Sequence, residues 1–329
     1  MRRSGKHAQL NKRTVALVLA GLLATGMVLC LAPSAWAYPT GWSSDSTVVS
    51  SEAASDIDIA SIGSTVQVVY INTSDVSIQV SAGGNIVAER SMYFNHKNMT
   101  GGSVVIGTDN PATTWYLAEG CTQPGFEEFI TVQNANDQDA DVTLSYMVEG
   151  SSAPVEIHRT VPAKSRGTVR VSDTIDPSRN VSTKVTSGVP VVAERPMYFN
   201  YNGAWDGGHD NIGIKELSDE WYLAEGCTRD GFDEWVTIQN PSMNNIGVSV
   251  DYMMGDGSVS GAIFTIAPYS RLTVNVNDPN PKVGVGPGKD VSCHILADAP
   301  VAVERPMYFK YNGAWTGGHI GSGYPMIDR

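Results

Sequence analysis

From about residue 112 onward the chain runs in short apolar stretches. FITVQN, VTLSYMV, GTVRVSD, VSTKVTS and PVVAERPMYF are rich in β-branched and aromatic residues, and apolar and polar positions partly alternate along them. That period of two belongs to strands with one buried face. The segments NANDQDAD, EGSSAP, PAKS, SGVP and NYNG lie between them and supply the residues that turns need. No stretch keeps apolar residues at helical spacing over three turns. Roughly seven strands per hundred residues, with turns every 8–12, is the pattern of a two-sheet sandwich. The closing strand carries Pro196 or Pro306, so it is expected at a sheet edge or after a bulge.

The pattern recurs. WYLAEGCTQPGFEEFITVQNA begins at Trp115 and WYLAEGCTRDGFDEWVTIQNP at Trp221, with 14 of 21 positions identical. A second block occurs three times, as AERSMYF from Ala88, AERPMYF from Ala193 and VERPMYF from Val303, each followed by a Gly-Gly pair. The offset is a normal domain length. The predicted fold class is therefore all-β, with tandem Ig-like or β-sandwich repeats of about 105 residues. Residues 114–216 and 217–329 form full repeats, joined by a short stiff linker near 214–220. Residues 57–113 match only the second half of a repeat. Residues 38–56 are Ser-rich and read as a flexible lead-in.

The first 37 residues break the pattern. Five Lys/Arg and no acid precede an uncharged apolar run over 15–32, and Ala35-Trp36-Ala37 follows as a small-x-small site. This predicts a signal peptide cleaved after Ala37, and a secreted or cell-surface location. Cleavage would leave 17 basic against 34 acidic residues, a net charge of −17. Nucleic acid and anionic lipid are thereby disfavoured as partners, since both call for a basic face. No second long apolar run exists, so no membrane span is expected after cleavage.

Three cysteines would remain, an odd number. Cys121 matches Cys227 in the repeat, while Cys293 stands where the preceding repeat has Thr183. If Cys227 and Cys293 lie on neighbouring strands they can pair, leaving Cys121 free. The rival pairing, Cys121 with Cys227, would strap two repeats together.

The combination WYLAEG–GF–E–VQNP, V-P-x-S-R-x-T-V and AERPMYFNYNGAW-GGH resembles a repeat family found in secreted proteins of actinobacteria and related bacteria. The resemblance covers most of residues 64–320. It implies β-sandwich modules attached to surface or cell-wall-associated proteins, and it brings no catalytic residues. The chain departs from the family's pattern at AEGCT, where a Ser-type residue is commoner than Cys121 or Cys227, so any disulfide is a local feature.

The charged candidates are Glu89-Arg90, Glu194-Arg195 and Glu304-Arg305. Adjacent strand residues point to opposite faces, so the members of one pair cannot meet each other. One of each pair must face the interior or a seam between repeats, where a charge needs a partner. Glu119, Glu225, Arg166 and Arg271 are the candidate partners. This makes Glu119, Glu194, Arg195, Glu225, Glu304 and Arg305 structural charges rather than an acid/base pair with an Arg clamp. His209 and His319 share one turn position without the companions of a metal site, and are read as hydrogen-bonding in the turn or seam. The motifs GxSxG, HExxH and GxxxxGK[ST] are absent. No enzyme activity, metal or cofactor is expected.

The turn Tyr201-Asn202-Gly203-Ala204-Trp205 recurs as Tyr311-Asn312-Gly313-Ala314-Trp315. Its backbone needs Asn and Gly but not Trp. Either the Trp packs at the end of the sandwich or between repeats, or Tyr201, Asn202, Trp205, Tyr311, Asn312 and Trp315 stack on and hydrogen-bond to sugars. The expected function is a non-enzymatic structural, adhesion or cell-wall-associated module, with a polysaccharide-binding protein as the alternative. The expected partners are cell-wall or extracellular polysaccharide, or another surface protein.

Overall fold

In the computed structural model the described residues are 54–61, 66–71 and 76–326. The signal peptide, its cleavage site and nearly all of the Ser-rich lead-in lie outside them. The regular structure of the described residues is antiparallel β-strand, and its one helical element is the 3-10 turn Val171–Asp173.

The repeat after residue 111 is a two-layer sandwich. One layer takes Ala112–Leu117, the first part of Val181–Glu194, Ala140–Val148 and Val155–Val161. The other takes Ser165–Arg170, Phe126–Asn134 and a closing hairpin of Met197–Tyr201 with Trp205–His209. Leu117, Ile130, Leu144, Tyr146 and Val185 pack around Trp115 between the layers. The Trp115 indole N–H donates to the Val191 carbonyl at 2.8 Å, which satisfies its one polar atom. The next repeat copies this arrangement around Trp221 and closes with residues 304–311 paired to Trp315–Ser322.

A long strand ties the two layers of each repeat together. Residues 181–187 of Val181–Glu194 pair in the first layer and residues 192–194 pair with Phe126–Asn134 in the second. The register breaks between Thr186 and Val191, where Pro190 offers no N–H to a ladder. The 21-residue strand Val291–Tyr311 makes the same crossing. Each crossing delivers a Glu-Arg pair to the start of the closing hairpin.

The closing strand is not an edge strand, so the first of the two alternatives raised by its proline does not hold. Met197–Tyr201 lies between Phe126–Asn134 and Trp205–His209, and residues 304–311 lie between Phe232–Asn240 and Trp315–Ser322. Proline is accommodated because Pro196 lies in neither ladder and Pro306 pairs on one side only, with Ile320. Pairing with Phe126–Asn134 stops at Glu194 and resumes at Met197, and the Phe129 N–H donates to the Pro196 carbonyl at 2.9 Å. A missing donor requires a gap on one flank only.

The first repeat contributes the strands Ala54–Ser61, Val66–Ile71 and Ser77–Ala82, and a closing hairpin of Ile86–His96 with Met99–Ile106. Between the second and third repeats the linker is shorter than expected. Ile214 is bonded to Tyr116 in both directions at 2.8 Å, and the next strand begins at Ser218. The described residues form one compact unit.

Replacing Trp221 by Ala is expected to lower unfolding free energy by about 3–5 kcal/mol. Replacing the exposed Met243 by Ala is expected to change it by less than about 0.5 kcal/mol. Urea titrations followed by circular dichroism measure both.

Candidate functional site

The most concentrated chemistry lies where repeats meet. Arg195 and Glu304, both fully buried, form an ion pair at 2.8 Å across the seam between the second and third repeats. The Arg195 guanidinium also donates to the Glu119 carbonyl at 2.7 Å. Glu304 accepts the Glu119 N–H at 2.7 Å and the Asn211 amide at 2.6 Å. The Glu119 carboxylate is met by Arg271 at 2.9 Å, and Arg271 donates further to the carbonyls of Gly120 and Val181 at 2.7 Å each. Burial works against the charge on Arg195, but Glu304, Glu119 and Glu128 outweigh it and raise its pKa.

The seam between the first and second repeats follows the same rule. Arg90 pairs with Glu194 at 2.9 Å and with Asp210. Burial pushes the Asp210 carboxyl up, and the nearby Glu194 adds to this. At each seam the arginine of one repeat thus meets the glutamate of the next. Arg305 meets no glutamate of another repeat among the described residues. It turns instead to Glu225 of its own repeat and to Nδ1 of His319 at 3.3 Å, and burial lowers its pKa to about 10. At the opposite end Glu89 is exposed and forms no ion pair among the described residues.

Aromatic rings repeat the rule. Tyr198 stacks on His96 at 4.4 Å and meets Phe94 edge-on at 4.9 Å; Tyr308 stacks on Tyr201 at 4.2 Å and meets Phe199 edge-on at 4.9 Å. These are the geometries that ring quadrupoles favour. The Phe94 ring presses on Gly208 and the Phe199 ring on Gly318, so closely that a Cβ on either glycine would lie 2.5 or 2.4 Å from the ring. Gly208 and Gly318 are therefore required by the approach of the neighbouring repeat, while Gly207 and Gly317 make room for Phe199 and Phe309 of their own repeats.

The two YNGAW turns diverge in surroundings. Asn202 and Gly203, like Asn312 and Gly313, have positive φ and shape the turn. Tyr201 and the half-buried Trp205 pack with Phe126, Trp235 and Tyr308 in the seam, and the Trp235 indole donates to the Tyr201 hydroxyl at 3.2 Å. Tyr311 and Trp315 are exposed; Tyr311 stacks with Trp315 at 6.2 Å and meets Phe232 edge-on at 6.3 Å. The six residues considered for ligand binding do not form one site.

Sequence reasoning missed two buried carboxyls. Glu128 accepts the Cys121 N–H at 2.9 Å and Glu234 the Cys227 N–H at 2.6 Å. Burial pushes each up to about 8. Alternation in FEEF and FDEW, which turns the second acid inward, was the available signal.

The expected disulfide does not form. Cys121, Cys227 and Cys293 are buried free thiols. Cys227 faces Asp290, while Cys293 faces Leu223 and Tyr252 inside the third core. Three residue steps along the strand lead from Asp290 to Cys293, roughly 10 Å, whereas a bridge needs Cα atoms within about 7 Å. Burial pushes the Cys121 thiol up to about 12. No group of three or more metal-binding side chains occurs among the described residues.

No family model and no curated protein matches the chain. Among solved structures, Thermotoga maritima 1070 is similar over 34% of this chain and 97% of its own, at 15% identity and a TM-score of 0.30. The Anabaena sensory rhodopsin transducer is similar over 26% of this chain and 97% of its own, at 29% identity and a TM-score of 0.24.

Removing one partner of a buried ion pair strands the other. Glu304→Ala is expected to destabilise the protein by about 3–5 kcal/mol, and Arg195→Met with Glu304→Leu to recover most of that loss. Thermal or denaturant unfolding of the two variants checks it. The pH dependence has a definite sign. Glu128 and Glu234 titrate near 8 in the fold against an ordinary value of 4.5, so the native state holds the extra protons. Their contribution is complete below pH 4.5 and is lost as pH rises to about 8. The melting temperature should therefore be higher at pH 5 than at pH 8, and Glu128→Gln with Glu234→Gln should flatten the difference.

Proposed function

We propose that the protein is a non-enzymatic, exported repeat protein acting as a stiff structural or adhesion module at the cell surface or in the cell wall. The carrying observation is the interlock between repeats. Both seams use the same charged and aromatic positions, so the most specific chemistry of the chain is devoted to holding one repeat against the next. The basic–apolar–Ala-x-Ala order of the N-terminus supports export, and the resemblance to surface-associated repeats points the same way. An arrangement of this kind suits a spacer that must present its ends at a fixed separation.

A second reading, polysaccharide binding, is favoured by one observation: Tyr311 and Trp315 lie open and near-parallel at 6.2 Å. Because Tyr201 and Trp205 are packed in the seam, this reading has one aromatic platform per chain, and no avidity from a repeated pair.

Fractionation of the source organism should recover the protein from the envelope or medium, with Tyr38 as its first residue by N-terminal sequencing. Recovery from the cytoplasm with residues 1–37 intact would overturn the proposal. Retention on purified wall glycan that disappears with Trp315→Ala would favour the second reading over the first.

A further inference from the structure

We propose that the protein associates head to tail with a second copy of itself, the third repeat of one chain receiving the first repeat of the next through the contacts already used at its two internal seams. This association depends on seam geometry and not on where the protein resides.

Each internal seam has a donor side and an acceptor side. The donor repeat supplies an arginine at the start of its closing strand, a phenylalanine four residues on, and an aromatic ring at the tip: Arg90, Phe94 and His96, then Arg195, Phe199 and Tyr201. The acceptor repeat supplies a glutamate, a tyrosine and a glycine: Glu194, Tyr198 and Gly208, then Glu304, Tyr308 and Gly318. The third repeat carries the counterpart donor set in Arg305, Phe309 and Tyr311, whose polar and ring contacts lie within its own repeat. The first carries a complete unused acceptor set in Glu89, Tyr93 and Gly102.

Exposure shows that both sets lack the cover their counterparts have. Tyr308 is 4% exposed in the seam, and Tyr93 at the same position of the first repeat is 54% exposed. Tyr201 is 8% exposed, and its counterpart Tyr311 is 50% exposed. Val87, Val104 and Ile106 extend the open apolar surface beside Tyr93. A surface of this kind on a soluble protein marks an interaction site. Residues of the first and third repeats, with Asp210, line a groove of about 410 Å³, so Tyr93 and Gly102 face an opening rather than a packed seam.

Charge selects the occupant. Arg305 is buried, and burial depresses its pKa. The Glu225 side chain that answers it is mostly exposed, whereas Arg195 has the fully buried Glu304. In the head-to-tail complex Glu89 of the second copy takes the place that Glu304 takes on Arg195. Tyr93 of that copy stacks on Tyr311 and meets Phe309 edge-on, and Phe309 rests on its Gly102. The contact is heterologous, since the two faces differ, and it leaves a free donor at one end and a free acceptor at the other.

Sedimentation of the purified protein across the micromolar range tests this. Self-association that rises with concentration is expected. Arg305→Glu and Glu89→Arg should each abolish it, and the double variant, which restores opposite charges, should regain it. Tyr93→Ala should weaken association about tenfold or more while leaving the melting temperature unchanged. Tyr93 and Glu89 are exposed, so these two variants carry the test even if Arg305→Glu does not fold. A wild-type protein that stays monomeric throughout would overturn the proposal, and would leave the open faces to another segment of the chain or to a different ligand. Association that survives both single charge reversals, or a double variant that stays dissociated, would overturn it equally.

Discussion

Everything about the arrangement of the repeats depends on a guanidinium that crosses from one of them to the next. Arg195 cannot be served by Glu194, its own neighbour, because adjacent strand residues face opposite ways. It is buried, so it cannot be served by water. The carboxylate must come from another part of the chain, and Glu304 supplies it. The second and third repeats therefore have one permitted register. A buried pair of this kind contributes little net stability, because desolvation offsets the attraction, but every displaced register leaves an unpaired charge. Its role is to forbid alternatives.

Packing supplies the adhesion that the ion pair does not. Tyr308 lies flat on Tyr201 and edge-on to Phe199, and the glycine pairs let the next repeat approach to ring contact. These contacts are available because Val181–Glu194 and Val291–Tyr311 change layers midway. A strand confined to one layer would keep Glu194 and Arg195 away from the second layer and its closing hairpin. The register break at Thr186–Val191 in the second repeat thus determines what can happen at the seam.

Much of this was legible in the sequence. The period-two pattern gave the strands, and the duplicated blocks gave the repeat. Because Glu and Arg of one pair cannot meet, each needs an external partner, and of the candidate partners Glu119 and Arg271 are joined in the fold. What could not be read was which repeat supplies which partner, since pairing across a seam depends on the relative placement of two domains and leaves no local pattern. The edge-strand alternative failed because the proline speaks for one missing donor, whereas the ladder has two sides. The cysteines misled because strand neighbours were inferred from repeat position, and Cys227 faces Asp290 rather than Cys293. Glu128 and Glu234 passed unnoticed because each follows a second acid that draws attention to the surface.

The polarity of the seam has a genetic consequence. Each repeat has arginine on the side facing the following repeat and glutamate on the side facing the preceding one. Unequal recombination that copies one whole repeat in place would therefore create a new junction already matched on both flanks, without a compensating substitution. Copying part of a repeat would set unlike sides out of phase and bury a charge alone. An array governed by this rule can lengthen or shorten by whole units, and selection can act on its length separately from its fold.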